Sequence, residues 1–431
     1  MLSFVVAVLS LLMLKSLLPF NINFVRMFSS SSPSGSYPFP YYKEALVAQL
    51  AVQKAALLTK ALSDELSSKN TLIKNDKSPV TIGDFAAQAI IISLVLNNFP
   101  NDKFIAEESS NDLVNNKYLR EQILSKILEN NSKFDEKFDY KNDKLDDLTT
   151  VDKILETIDL GNSDLSRPDA DNRNKRFWTL DPIDGTKGFL RNDQFAICLA
   201  LIENNTVQLG VIGVPNLPTD LPQILNNNPD YIDTYNGDLN TFIKDHASSI
   251  ERGGLFTAIN ANGAYFQPLF NKINYGSDNS NFLKDSNSVK INMRKNLNSA
   301  SDLVICEGYE KAHSSHSTQS LIKSNLGISN TPANSLKIDS QAKYCCLSKG
   351  DADVYLRLPI NETYEENIWD HASGYLLIKE SGGVVTDMFG NDLDFTKGKT
   401  FKSKGIVASN NQYHDQIIKA INEVLGGKIV L

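Results

Sequence analysis

The chain has 431 residues, is 41% hydrophobic and 22% charged, and carries a formal net charge of −8. This is the composition of a soluble globular protein, long enough for two or three domain-sized units, and its acidic balance argues against a general binder of nucleic-acid polymers. The four cysteines, Cys198, Cys306, Cys345 and Cys346, have no metal-site spacing and point to a reduced, intracellular protein.

Residues 1–20 are strongly apolar with one charge, Lys15, and Ser29 to Pro40 is rich in serine and proline, as in a flexible linker. A signal-like segment, a membrane anchor, a mitochondrial presequence and a translation start at Met27 all stay open for this N-terminal extension, residues 1–40. The folded core is expected in the cytoplasm. Apolar spacing predicts a first long helix over Tyr42–Leu66 and a second over Asp84–Phe99, which puts Asp84 at a helix start. Lys103–Ala106 reads as a short strand running into Glu107, Glu108 and Ser109. Residues 110–175 are rich in Asn, Asp and Lys and read as a surface insertion with some helix.

Phe177–Leu180 is aromatic, β-branched and apolar, the pattern of a buried strand. Two hairpins follow. One turns at Asn204-Asn205, the other at Ala261-Asn262-Gly263, and Pro215–Arg252 between them reads as loop. The second half alternates, with strands at Leu303–Cys306, Asp353–Leu358, Val384-Val385 and Gly405–Ala408. Helices are predicted at 315–325, Gln341–Leu347, Trp369–Ser381 and 412–425, the third closed by Gly382-Gly383. This divides the chain into an α+β part, 41–298, and an α/β part, 299–431. No internal repeat is visible.

The richest chemistry lies in Asp181-Pro182-Ile183-Asp184-Gly185-Thr186. Two carboxylates stand three positions apart where a strand ends. Such a pair needs a cation, or one member must take up a proton. Gly185 lets backbone approach a phosphate closely, and Thr186 adds an oxygen that can hold a water. Asp-Pro and Asp-Gly also make ordinary turns, so the motif gains weight only from the other carboxylates at element ends: Asp84, Glu107 and Asp370. Brought together, five carboxylates would repel one another unless cations joined them. Mg²⁺ takes such oxygen ligands, and paired ions about 3.5–4 Å apart can clamp a phosphoryl group.

Phe177–Arg191, reading FWTLDPIDGTKGFLR, resembles the first signature of the lithium-sensitive, magnesium-dependent phosphatases related to inositol monophosphatase. Trp369–Gly383, WDHASGYLLIKESGG, resembles the second, and Glu107-Glu108-Ser109 resembles the family's intervening metal-ligand segment. The resemblance covers about residues 42–425. It implies a layered αβαβα sandwich, of the inositol monophosphatase and fructose bisphosphatase kind, that uses two or three Mg²⁺ ions and is inhibited by Li⁺. It further implies metal ligands at Glu107, Asp181, the Ile183 carbonyl, Asp184 and Asp370. Asp84 and Thr186 would orient and deprotonate a nucleophilic water, and the Gly185 and Thr186 amides would hold phosphate oxygens.

Three further segments, SPVTIGDFAAQ (78–88), GYEKAHSSH (308–316) and DSQAKYCCLSKGDADVYLRLP (339–359), resemble the 3'(2'),5'-bisphosphate nucleotidases, especially the fungal ones. They imply a second anion site at Ser340, Lys343 and Arg357, with His313 near the adenine or ribose. The expected reaction is release of the 3'-phosphate from adenosine 3',5'-bisphosphate, with 3'-phosphoadenylyl sulfate as a second substrate, in sulfate assimilation and salt tolerance. The expected partner is the small bisphosphorylated nucleotide, with no obligatory protein partner and a monomeric state. Two alternatives stay open: an inositol phosphate phosphatase, and a nucleotide- or ion-sensing binding protein without turnover.

Overall fold

The computed structural model describes residues 39–68, 78–138, 148–163, 176–228, 231–235, 238–273, 288–309, 316–359, 365–395, 398–401 and 404–426. The N-terminal extension up to residue 38, His313 and much of the 139–175 stretch lie outside them.

Two long helices, α1 (Tyr42–Ser68) and α2 (Ser78–Asn98), open the fold. From Phe85 to Val95 almost every α2 residue is buried, as expected of a helix that is apolar all round. α2 begins six residues before Asp84, with Pro79 in its first turn, where a missing N–H costs nothing. Asp84 therefore sits inside the helix and not at its start, which corrects the sequence reading. β1 (Lys103–Ala106) is followed by α3 (Lys117–Phe138) and α4 (Val151–Asp159). Ile123, Ile127 and Phe134 of α3 have no exposure and join the core under α1 and α2. The described part of the expected surface insertion thus contributes to the main core, because its apolar residues fall on one helical face.

β2 (Arg176–Asp184) leads through α5 (Thr186–Arg191) to β3 (Ala196–Glu203), β4 (Thr206–Pro218), β5 (Arg252–Ile259), β6 (Gly263–Pro268) and β7 (Val289–Ile291). These seven strands form one sheet in chain order, with β1 and β2 parallel and every other pair antiparallel. The β3–β4 hairpin turns on Asn204 and Asn205, both at positive φ, as the dipeptide predicted. Pro215–Arg252 is not simply loop. β4 runs on to Pro218, and three short helices follow, two of them capped by the carboxylates of Asp220 and Asp238.

The later part of the chain adds β8 (Ile305–Glu307), α6 (His316–Asn325), β9 (Ser335–Lys337), α7 (Ala342–Lys349), β10 (Val354–Arg357), β11 (Glu366–Asn367), α8 (Ala372–Glu380), β12 (Gly383–Thr386), β13 (Thr400–Phe401), β14 (Ile406–Asn410) and α9 (His414–Leu425). Five of these strands make a second sheet in the order β12-β14-β10-β8-β9. Period-two alternation divides β3 between two cores: Ile197, Leu199 and Leu201 face α1 and α2, while Cys198, Ala200 and Ile202 face α7 and α8. The far side of the second sheet buries Val354, Leu356 and Val407 against α6 and α9. The layers are therefore α1/α2, first sheet, α7/α8, second sheet and α6/α9, the αβαβα sandwich expected from the sequence. All four cysteines are free and buried.

Candidate active site

The site begins with an irregularity in β2. Asp181 pairs with Cys198 and Asp184 with Ala196, so three steps on β2 match two on β3. Pro182 lies in this gap and has no N–H to give the ladder. In a regular strand, residues three apart face opposite sides. One extra residue, a β-bulge, returns them to the same side. Asp181 and Asp184 accordingly line one cleft of about 370 Å³, at the end of β2 instead of in the turn beyond it. The turn itself falls on Gly185, at φ +92°, where a Cβ would lie 2.9 Å from the Ser340 Cβ. Only glycine satisfies both the left-handed backbone and that close approach.

Glu107 follows β1, the parallel neighbour of β2, and lines the same cleft with Asp370, which closes a 3-10 turn, Ile368–Asp370, just ahead of α8. Asp370 therefore precedes the α-helix that it was expected to open. Ile183 and Thr186 also line the cleft. Asp84 lies behind it, buried on α2 next to Glu107 and Glu108. Its helix can come this near because residue 83 is glycine: a Cβ there would be 2.8 Å from Ile183 Cδ1.

The carboxylates disturb one another. Burial first, then Glu107, Asp184 and Asp370, hold the Asp181 carboxyl well above its ordinary range. Asp84 is raised by burial and then by Glu108 and Glu107. The Glu107 side chain opens on the cleft, yet loss of hydration at its carboxyl, followed by the charges of Glu108, Asp370 and Asp184, pushes it up to about 8. Asp184 and Asp370 are also raised, chiefly by burial, although Lys343 offsets this at Asp184 and His371 at Asp370. Asp181 Oδ1 is buried and has no hydrogen-bond partner. Mutual repulsion and an orphaned oxygen are what a bound cation would relieve. The all-oxygen donor set fits a hard divalent ion. Glu366, Asp370 and His371 form a second cluster, with ligand atoms within 4.8 Å of one another. Its histidine is already engaged at both nitrogens, by the Tyr344 hydroxyl (2.8 Å) and by Glu366 (3.2 Å), which leaves Asp370 as its donor to a metal.

Cations line the same cleft. Arg357, on β10, donates Nε–H to Glu366 at 2.9 Å and brings its Nη2 to 3.8 Å from Asp370. Lys343, on α7, is buried with its Nζ 5.1 Å from the centre of the Tyr355 ring, and both residues line the cleft. Burial lowers the Lys343 pKa while the Asp184 carboxylate works in the other direction. Ser340, at φ +64°, accepts the Ala342 N–H at its hydroxyl. Of the expected site residues, Glu107, Asp181, Ile183, Asp184, Gly185, Thr186, Ser340, Lys343, Arg357 and Asp370 share this cleft, Asp84 abuts it, and His313 is outside the described residues.

Several participants escaped the sequence reading. Gln88, one turn beyond Asp84, clamps the Glu108 peptide from both sides: its Nε2 donates to the Glu108 carbonyl (2.8 Å) and its Oε1 accepts the Glu108 N–H (3.0 Å). Glu366, His371, Tyr344 and Gln341 organise the other side. A signal for Gln88 existed in its i+4 spacing from Asp84 on one helical face.

A model described as the inositol monophosphatase family matches residues 42–425. The chain belongs to this family. It is 44% identical over 390 residues to the 3'(2'),5'-bisphosphate nucleotidase 1 of Candida albicans (strain WO-1), an overlap of 89% of this chain and 96% of that one. Identity to the 3'(2'),5'-bisphosphate nucleotidase of Emericella nidulans is 39% over 396 residues, 89% of this chain and 99% of the relative. Among solved structures, an inositol monophosphatase from Zymomonas mobilis matches with a TM-score of 0.50 and 14% identity, over 89% of this chain and 99% of that one. At that identity the likeness speaks for the family fold alone.

Proposed function

We propose that the protein is a Mg²⁺-dependent 3'(2'),5'-bisphosphate nucleotidase that releases the 3'-phosphate of adenosine 3',5'-bisphosphate, giving AMP and phosphate. The carrying observation is that one cleft is lined by both carboxylates, at Glu107, Asp181, Asp184 and Asp370, and cations, at Lys343 and Arg357. A ligand with two separated phosphates suits both. The names and high coverage of the fungal relatives support the same choice.

In this reading, Glu107, Asp181, Asp184, Asp370 and the Ile183 carbonyl hold two or three Mg²⁺ ions. Bound there, Mg²⁺ supplies positive charge against the negative charge that builds up on the phosphoryl oxygens. Thr186 orients a water with its hydroxyl. Asp84 takes the water's proton; burial, then Glu108 and Glu107, raise its affinity for protons. The Gly185 and Thr186 amides donate to the oxygens of the phosphate under attack. Arg357, Lys343 and Ser340 bind the second phosphate, the guanidinium held ready by Glu366. His313 contacts the nucleoside. 3'-Phosphoadenylyl sulfate, which keeps the 3'-phosphate, is a second substrate, and the physiological setting is sulfate assimilation in the cytoplasm.

Phosphate release from adenosine 3',5'-bisphosphate and from inositol 1-phosphate, each with and without Mg²⁺ and Li⁺, tests this. The nucleotide is the expected preferred substrate, with Mg²⁺ required and Li⁺ inhibitory. Preference for inositol 1-phosphate would replace the reading with the inositol phosphatase alternative, and tight nucleotide binding without phosphate release would make the chain a sensor.

A further inference from the structure

Gln341 is 2% exposed and lies at the junction of the two sheets' contributions to the cleft. Its backbone N–H donates to Asp184 Oδ2. Its side-chain Nε2 donates to the Trp369 carbonyl at 2.8 Å, one residue before Asp370. Its Oε1 accepts from the Ser373 hydroxyl at 2.8 Å and from the Gly374 N–H at 3.2 Å, in the first turn of α8. One residue thus grips the β2 carboxylate loop with its backbone and the Asp370 segment with its side chain.

Its neighbours stiffen the same strap. Ser340 holds a left-handed backbone against Gly185, and Asp339 accepts from Arg191 at 2.7 Å, at the end of α5. Residues 339–341 therefore bridge the 181–191 segment and the Asp370 turn, which belong to different layers and share no strand pairing among the described residues. Four like-charged side chains cannot hold their own spacing, because in the absence of a cation each repels the others. Some neutral group has to set it. Asp184 and Asp370 come from the two sides that Gln341 joins.

We infer that Gln341 is a positioning residue that sets the spacing of Asp184 and Asp370 and so tunes divalent-cation affinity without touching the nucleotide. The inference rests on the proposed Mg²⁺-dependent reading. A methionine of nearly the same shape removes all three side-chain bonds and keeps the backbone donor to Asp184. In Gln341→Met the Kd for Mg²⁺, measured by titration calorimetry on the metal-stripped full-length protein, rises at least fivefold. The Mg²⁺ concentration for half-maximal rate rises in parallel, the nucleotide KM at saturating Mg²⁺ stays within twofold, and high Mg²⁺ restores kcat. Ser373→Ala, which removes one donor to Oε1, shows the same pattern at about twofold.

Ser409→Ala is the control for general loosening. Its hydroxyl bonds His414 and the Asn410 carbonyl on β14, and it leaves Mg²⁺ affinity unchanged. An unaltered Mg²⁺ Kd in Gln341→Met, or an increase no larger than in Ser409→Ala, overturns the inference while the parent reading stands. Failure of the unmodified protein to bind Mg²⁺ overturns both. If Gln341→Met does not fold, Ser373→Ala decides alone by the same Kd criterion.

Discussion

Removing divalent cations should make this protein sensitive to alkali, and the sign follows from the carboxylate cluster. Glu107 is raised from an ordinary 4.5 to about 8, and Asp84, Asp181, Asp184 and Asp370 are raised with it. A carboxyl whose folded pKa exceeds its unfolded value binds its proton more tightly in the folded state. The stability it lends is complete below about pH 4.5 and is lost as the pH climbs through about 8. The metal-free protein should therefore be more stable at pH 6 than at pH 8.5. Mg²⁺ displaces the same protons, so its stabilisation grows with pH. At a hundred times its Kd a ligand contributes about 2.7 kcal/mol. With an unfolding entropy of roughly 0.8 kcal/mol per kelvin for a folded region of this size, that is a rise of about 3 °C in Tm at pH 8.5. At pH 6 protons compete with the metal, so the same Mg²⁺ concentration should give less than half of that rise. Thermal melts with EDTA or Mg²⁺ at the two pH values measure it. An equal or larger Mg²⁺ effect at pH 6 would refute the view that these raised carboxyls are the metal site.

Asp181→Asn should abolish turnover and the Mg²⁺-dependent rise in Tm while the metal-free protein stays folded; near-normal phosphate release from this variant would overturn the metal assignment. Arg357→Lys loses the planar fork that meets Glu366. It should raise KM for adenosine 3',5'-bisphosphate about tenfold, roughly 1.4 kcal/mol, and leave KM for a monophosphate ester within twofold. Gly188→Ala would push a Cβ into the Gln194 carbonyl oxygen, a backbone atom that cannot swing away. Overpacking of about 1–3 kcal/mol outweighs the gain of about 1 kcal/mol from alanine in a helix, so denaturant melts should show a net loss on the order of 1 kcal/mol.

The cleft was legible wherever chemistry and local pattern coincide. Asp181, Asp184 and Gly185 sit in six residues that announce a turn and a charge problem, and the hairpins were written in Asn204-Asn205 and Gly263. What stayed hidden depends on contacts distant in sequence. Asp84 was misplaced at a helix start because local periodicity faded before it, although the helix had already begun at Ser78. α3 looked like surface because its polar residues outnumber the apolar ones, yet Ile123, Ile127 and Phe134 lie on one face and are buried. Gln341 carries no signature at all, and Gln88 carries only its i+4 spacing from Asp84. A glutamine becomes an orienting group only through the carbonyls and amides that the fold brings to it.

The same distinction explains how Arg357 is held in spite of its burial. Arg357 would be costly beneath the surface without a partner. Glu366 takes its Nε–H, His371 takes the other Glu366 oxygen, and the Tyr344 hydroxyl takes the far side of His371. The run Tyr344–His371–Glu366–Arg357 keeps the guanidinium on one heading, and it engages the histidine next to Asp370 at both ring nitrogens. On the proposed reading, carboxylates and a carbonyl are then left to face the cation, and imidazole, a donor that favours zinc and copper, is kept from it. Preference for a hard ion and readiness for a second phosphate would thus be two consequences of one hydrogen-bonded chain behind the cleft.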